Sequence, residues 1–363
     1  MRRVLLIGDY PPPYGGLSVQ ITSLRGQLAA RGDTEVQVLD IGARRRERRD
    51  GCLPVRHPAD LVRAVYGHAR RGFTPHLHTN GHNRRSWIVA AGCAMASTAG
   101  GRRAVVSLGS GAMPAFVETA SPGMRALART SLALARAVIV RNERAQAALV
   151  ALGVTPAKIV ILPGFYGVAA DEIGVVPADV GPFRQDHDPL IGAIATCGPE
   201  YGIPLLIDAA ARLRPRHPRL GVILVGPDRF EEACPPWVLA LGEQHRPALL
   251  AVMQTLDVFV RPTYIDGDAS SVREALALGV RVVASATDFR PEGVWRAPLG
   301  DADALAETIE TALSGRALRA EWTSLPALLS IYDGLPVDRQ PSSAAHVRDG
   351  GAVACTPGSI RIG

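Results

Sequence analysis

RPTYIDGDASSVREALALGVRVVAS, residues 261–285, contains the order of elements that decides the fold. The apolar run Val258 to Arg261 ends where this stretch begins, and it is short and continuous, as a strand buried on both faces is. A loop carrying Gly267 follows. Ser271 to Leu278 has helical spacing, with Ser270 and Ser271 placed to cap it, and Val282 to Ser285 is a second apolar run. Strand, loop, helix and strand in that order build a doubly wound parallel sheet.

The alternation extends outward from there. Leu190 to Ala195 and Val222 to Gly226 read as strands, Ile203 to Leu213 and Arg246 to Gln254 as helices. Before residue 190 the pattern breaks at Pro163-Gly164, and the stretch to about Pro189 is irregular and rich in Asp, Pro and Gly. Further upstream the same alternation begins afresh. Val4 to Ile7, Val36 to Leu39, His76 to Thr79, Ala104 to Leu108, Ala137 to Val140 and Lys158 to Leu162 read as strands. Leu17 to Ala30, Trp87 to Ala99, Arg125 to Ala135 and Arg144 to Leu152 read as helices. Two doubly wound halves predict an α/β protein of two Rossmann-like lobes facing a central cleft, since ligands bind such sheets at the carboxyl ends of their strands. The expected division is residues 1–165 and 186–315, with a mobile tail over 334–363.

Composition agrees with that division. A chain of 363 residues exceeds the size at which one core usually stops growing, and 47% hydrophobic with 20% charged residues is an ordinary globular balance. The net charge is +6, but lysine occurs once, at Lys158, and a uniform preference for arginine reads as base composition. No nucleic-acid recognition motif accompanies the charge, so a nucleic-acid partner is not expected. The run Arg44 to Arg49 is a charged loop, either simply solvated or in contact with anionic lipid or a lipid-linked acceptor. Five scattered cysteines, at 52, 93, 197, 234 and 355, form no CxxC pair and suit a reducing compartment. Only four apolar residues follow the two N-terminal arginines, and no run approaches a membrane span of about 20 residues. The expected location is the cytoplasm, with a peripheral place at the inner face of the membrane as a variant of it.

The chemistry concentrates on residues 266–274. Asp266 lies on the loop and Glu274 one turn into the helix, and both carboxylates can accept hydrogen bonds from the hydroxyls of a sugar or ribose. The free backbone amides and dipole of a helix N-terminus favour an anion, so the loop is a candidate cradle for a diphosphate. At the other end of the chain, Pro11-Pro12-Pro13-Tyr14-Gly15-Gly16 follows the first strand, with glycines where a backbone would approach a ligand.

These residues resemble family-4 retaining glycosyltransferases of the B-type fold, also called group 1 glycosyl transferases. That family has an acidic residue, seven intervening residues, then Glu, followed by Ala-Leu-Ala-x-Gly-Val-x-Val-Val-Ala-Ser, and a Pro-rich Gly-Gly loop after its first strand. Residues 266, 274 and 279–285 match in type and spacing, although the family usually has Glu where this chain has Asp266. The resemblance spans residues 1 to 333. It implies hexosyl or N-acetylhexosaminyl transfer from a nucleotide sugar to an acceptor glycan, lipid-linked sugar or small molecule, in polysaccharide or natural-product biosynthesis in a bacterium. Asp266 would lie near the transferred sugar and Glu274 would bind the ribose. Gly15, Gly16, Gly267, Asp268, Ala269, Ser270, Ser271 and Val272 would contact the donor. The first lobe would bind the acceptor, and a final helix at about 316–333 would pack back on it. No metal or other cofactor is expected: Asp266-Gly267-Asp268 fits an Asp-x-Asp metal motif, but its surroundings match the metal-independent type.

Three positions depart from the family. Its Arg and Lys on the donor diphosphate are replaced by Thr196 and Tyr201, and a His that touches the donor sugar is replaced by Gly109. Arg261, Arg273 and Arg290 could compensate for the cations, and His78, His82 and Tyr201 could supply cleft contacts. Ser107 to Gly111, Ser-Leu-Gly-Ser-Gly, falls short of a nucleophile elbow. The alternative to an enzyme is a non-catalytic sugar-nucleotide-binding or partner protein of the same fold. A sugar-nucleotide epimerase of the same architecture is a further one. The oligomeric state is not legible.

Overall fold

The computed structural model describes residues 1–11, 15–42, 51–195, 198–226, 234–266, 268–287, 289–317 and 323–336. Pro12 to Tyr14, the Arg44 to Arg49 run, Thr196, Gly267 and the tail from 337 lie outside them.

The first lobe runs β1 (Arg2–Gly8), α1 (Gly16–Ala30), β2 (Thr34–Asp40), β3 (Cys52–Pro54), α2 (Pro58–Arg70), β4 (Thr74–Thr79), α3 (Arg84–Ala99), β5 (Val105–Leu108), α4 (Met113–Thr119), α5 (Pro122–Leu134), β6 (Ala137–Val140), α6 (Glu143–Ala151) and β7 (Ile159–Ile161). Its strands form one parallel sheet in the order β3-β2-β1-β4-β5-β6-β7. After α7 (Val180–Asp186), the second lobe runs β8 (Leu190–Ile194), α8 (Ile203–Leu213), β9 (Gly221–Val225), β10 (Val238–Ala240), α9 (Arg246–Gln254), β11 (Val258–Arg261), α10 (Ser270–Ala277), β12 (Arg281–Ser285), β13 (Val294–Ala297) and α11 (Ala302–Ser314). Its parallel sheet has the order β10-β9-β8-β11-β12-β13. Strand order reverses beside β1 in one sheet and beside β8 in the other, so the switch points lie between β1 and β4 and between β8 and β11. The two-lobed α/β reading is borne out.

Both sheets are covered on both faces, which explains why their strands read as unbroken apolar runs. In the first lobe α2 to α6 pack on one face, through residues such as Leu61, Trp87 and Leu132. The other face carries Ile21, Leu24 and Leu28 of α1 together with Leu328, Ile331 and Tyr332 of α12 (Leu325–Asp333). In the second lobe α8 and α11 cover one face and α7, α9 and α10 the other. The segment before Pro189 is more regular than its composition suggests, since it holds a 3₁₀ turn at Ala170–Glu172 as well as α7.

The last helix, α12, starts at Leu325. Ser324 anchors its start by donating its hydroxyl to the Pro163 carbonyl at 2.7 Å. At its other end Arg136 donates to the Tyr332 carbonyl at 2.7 Å and Arg2 pairs with Asp333 at 2.7 Å.

Candidate functional site

Asp266 follows β11, at the carboxyl end of the second sheet. Its Oδ2 accepts from Arg261 Nε at 3.1 Å, Thr263 Oγ1 at 3.1 Å and Arg290 at 2.8 Å. Arg290 is itself buried, and it also donates to the Ser285 carbonyl at the end of β12. Burial opposes ionisation of Asp266, but the two guanidiniums outweigh it and hold the carboxyl below its usual range. The group is thus a fixed anion and not a proton donor at neutral pH.

Glu274 is not the surface residue that a capped amphipathic helix would present. It is 4% exposed and its Oε1 accepts from Arg246 Nε at 3.0 Å. Arg246 opens α9, is buried as well, and extends a second donor to Glu172 of the interlobe segment. Burial raises the Glu274 carboxyl, Arg246 pulls it down and Glu172 pushes it up, leaving it above the ordinary glutamate range.

Between these carboxylates α10 begins at Ser270, with Ala269 as N-cap and no side-chain capping bond. The two serines therefore do not close the helix as expected, and among the described residues no side chain caps its first amides. Ser270 instead faces the first lobe, where Gln20 Nε2 donates to its Oγ at 3.4 Å. Gln20 lies on α1, one turn beyond Gly15 and Gly16, and its own Oε1 accepts from Arg141 at 2.8 Å. A second route joins the same helices: Gln27 of α1 donates to Glu172, which Arg246 links to Glu274. The starts of α1 and α10 thus face each other. Ala269 packs at the core margin, Ser271 is buried, and Val272 points into the core, so Val272 offers only its backbone to a ligand.

Gly15 and Gly16 have no positive φ. A Cβ at Gly15 would approach only Ser18 Oγ, at 4.0 Å, and one at Gly16 would meet nothing within 4 Å. Among the described residues neither backbone strain nor packing requires glycine at these positions. Gly109 is different: a Cβ there would lie 2.5 Å from a Leu17 methyl, so α1 fills the place where the resembled family has histidine.

The histidines separate. His82 is exposed on the loop after β4. His78 is no cleft contact, because it lies within β4, 2% exposed, with neither ring nitrogen partnered. Burial, reinforced by the charge of Arg141, lowers its pKa to about 3. Tyr201 is half-buried, and Arg261 lies over its ring at 5.7 Å, bringing a cation beside the position of the missing lysine. All three candidate cations are engaged: Arg261 and Arg290 donate to Asp266, and Arg273 donates to Asp268 at 2.6 Å. Gly202, at φ 67°, packs so closely on the end of β11 that a Cβ would lie 2.0 Å from the Pro262 carbonyl oxygen. Beside it an open cavity of about 440 Å³ is lined by Glu200, Leu205 and Tyr264 among others, at the switch point of the second sheet. Gln20, Arg141, Glu172 and Arg246 are not legible in the sequence because their partners lie 21 to 250 positions away.

Residues 188–315, the second lobe, match the family model described as Glycosyl transferases group 1. No curated protein matches the chain in sequence. Solved structures match nearly its whole length. HepE of Anabaena in complex with UDP is 19% identical over 92% of this chain and 93% of its own, with a TM-score of 0.61. Sucrose-phosphate synthase of Thermosynechococcus elongatus is 17% identical over 86% and 90%, at 0.62. A glycosyltransferase of Rickettsia africae is 13% identical over 93% and 95%, at 0.63. The architecture is the B-type glycosyltransferase fold.

Proposed function

We propose that this protein is a glycosyltransferase that moves a hexosyl or N-acetylhexosaminyl group from a nucleotide sugar to an acceptor hydroxyl, with retention of configuration. The observation that carries this reading is the juxtaposition of two pinned carboxylates with the uncapped start of α10, opposite the glycine pair at the start of α1. The match of residues 188–315 to group 1 transferases supports it. So does the fold shared with HepE, which has been solved with UDP and with UDP-glucose.

In this reading the second lobe binds the donor and the first lobe the acceptor. The amides that open α10 meet the diphosphate and stabilise the charge it gains as the glycosidic bond breaks. Arg261, held between Asp266 and Tyr201, supplies the cation that a lysine supplies in the resembled family. Asp266 stays ionised, orients the transferred sugar and stabilises positive charge developing at its anomeric carbon. Glu274, set by Arg246, receives the ribose. The acceptor proton passes to the leaving phosphate, so no protein base is required. No metal is needed: Asp268 is engaged by Arg273 and Asp266 by two arginines, a poor arrangement for a divalent cation.

A non-catalytic sugar-nucleotide-binding protein is the second reading. It is favoured by the pairing of Arg261, Arg273 and Arg290 with carboxylates, which leaves less charge for a diphosphate. Incubation with UDP-, GDP-, ADP- and dTDP-sugars and an acceptor panel separates the readings. Acceptor-dependent release of nucleoside diphosphate, with the product's anomeric configuration read by NMR, is the expected result. Binding without release favours the second reading, and interconversion of the donor sugar identifies an epimerase.

A further inference from the structure

The outer face of the first lobe carries exposed apolar side chains apart from the residues assigned to the donor site. On α2, Val62 and Tyr66 are 45% and 44% exposed, and on α3, Ile88 and Met95 are 60% and 59% exposed. The two helices lie side by side: a Cβ added at Gly92 would lie 3.9 Å from a Val62 methyl, and one at Gly100 would lie 2.9 Å from the Tyr66 carbonyl. Ile88, Gly92 and Met95 stand four and three positions apart, on one side of α3. The four apolar side chains therefore share one two-helix face turned away from the sheet. Scattered exposed apolar residues are ordinary, but a contiguous group rimmed by charge marks a docking surface.

The rim is arginine. Arg56, Arg84 and Arg85 stand at the N-terminal ends of the two helices, and Arg70, Arg71, Arg102 and Arg103 at their C-terminal ends. Arg63 lies between, and all eight are exposed. Residues 55–103 hold these eight arginines and one carboxylate, Asp60, a net charge of seven against six for the entire chain. The basic character of the protein thus resides in this segment, whatever its codon preference. A symmetric dimer through the same face would set two such charges against each other, which disfavours a second copy as the occupant. Among the described residues no helix is long and apolar enough to cross a membrane.

We propose that the α2–α3 face docks the protein on an anionic phospholipid bilayer, with the apolar side chains entering the headgroup region and the arginines meeting phosphates around them. The proposal is independent of the donor chemistry in the second lobe.

Cosedimentation of the full chain with lipid vesicles tests it without any sugar substrate. The chain should pellet with phosphatidylcholine vesicles containing phosphatidylglycerol and not with phosphatidylcholine alone, and salt should weaken the binding. Ile88→Gln with Met95→Gln, and separately Arg63→Gln with Arg84→Gln, should each lower the affinity at least about tenfold. Val150→Gln, a change at an exposed apolar residue of α6, should not. All three variants alter exposed side chains and should melt with the wild type. No binding to anionic vesicles at low salt, or equal binding by all variants, overturns the proposal. So does a wild-type dimer that the Ile88→Gln/Met95→Gln chain converts to monomer, which would assign the face to a second copy.

Discussion

Asp266 and Glu274 have the same charge and opposite settings, and their substitution should separate two roles. Asp266 meets two guanidiniums and Glu274 one; Glu274 is buried, and the Asp266 carboxylate is only slightly exposed. If Glu274 receives the ribose, Glu274→Gln should raise the donor KM with kcat little changed, because that contact exists equally in ground and transition states. Asp266→Asn should chiefly lower kcat, because alignment and charge support are lost at the barrier. A charge-assisted hydrogen bond is worth about 1.5–3 kcal/mol, so each effect should span about one to two decades. Neither change is silent for folding, since Asp266→Asn leaves Arg290 buried without its anion, a situation that typically costs about 3–5 kcal/mol. Rates must therefore be taken well below each variant's Tm. Wild-type kinetics in both folded variants would remove the carboxylates from the reaction. The arginine partners of Asp266 and Asp268 also predict that turnover survives excess chelator; loss on chelation, with recovery on adding Mg or Mn, would reassign the loop to a metal.

Strand β4 carries a pH dependence of its own. His76 and His78 are two apart and share one face of the sheet. Their rings stand 4.1 Å apart between centroids, and His76 shares hydrogen bonds with Tyr332 and Ser107. Burial, with the charge of Arg141, lowers His78 to about 3 and His76 well below its usual value. Both remain neutral in the folded lobe, whereas the unfolded chain takes up protons below about pH 6.5. Stability is therefore full above that pH and falls as the pH drops toward 3, by about 1.4 kcal/mol per unit per histidine. The urea midpoint should fall between pH 7.5 and 5.5, and His78→Leu should remove roughly half of that fall. An identical fall in the variant would mean that other groups carry it. The same strand shows how legibility varies among elements. Strands buried on both faces are plain in the sequence, as are helices closed by glycine. Helix α2 is obscured because Val62 and Tyr66, which face outward, blur the spacing of Leu61, Val65 and Ala69, which face in. Helix α11 buries Ala302, Ala306 and Ala312 beside Leu305 and Ile309, and the three alanines mark its core face weakly. In the site, the carboxylates and glycines are readable from spacing. Arg246 and Gln20 are not, because only the folded chain brings them to Glu274 and Ser270.

The whole molecule depends on how its end returns to its beginning. The chain leaves the second lobe after α11, and α12 then lies on the first sheet beside α1. Leu328, Ile331 and Tyr332 are each at most 4% exposed. Burying one such side chain contributes about 1.5–3 kcal/mol, so the three together contribute about 5–9 kcal/mol. That is comparable to the entire stability of many domains, about 5–15 kcal/mol. Removing α12 would also leave His76 without Tyr332 and uncover Leu6 and Val38, which share its core cluster. The Arg2–Asp333 ion pair is partly exposed and adds little by comparison. A chain ending at residue 323 should accordingly melt at least about 10 °C below the full-length protein, or fail to accumulate in soluble form. A chain ending at residue 336 keeps every one of these contacts and should melt with the full-length protein. If the 323 chain were as stable as the 336 chain, α12 would contribute nothing to closing the core, and the first lobe would have to stand on the α2 to α6 face alone.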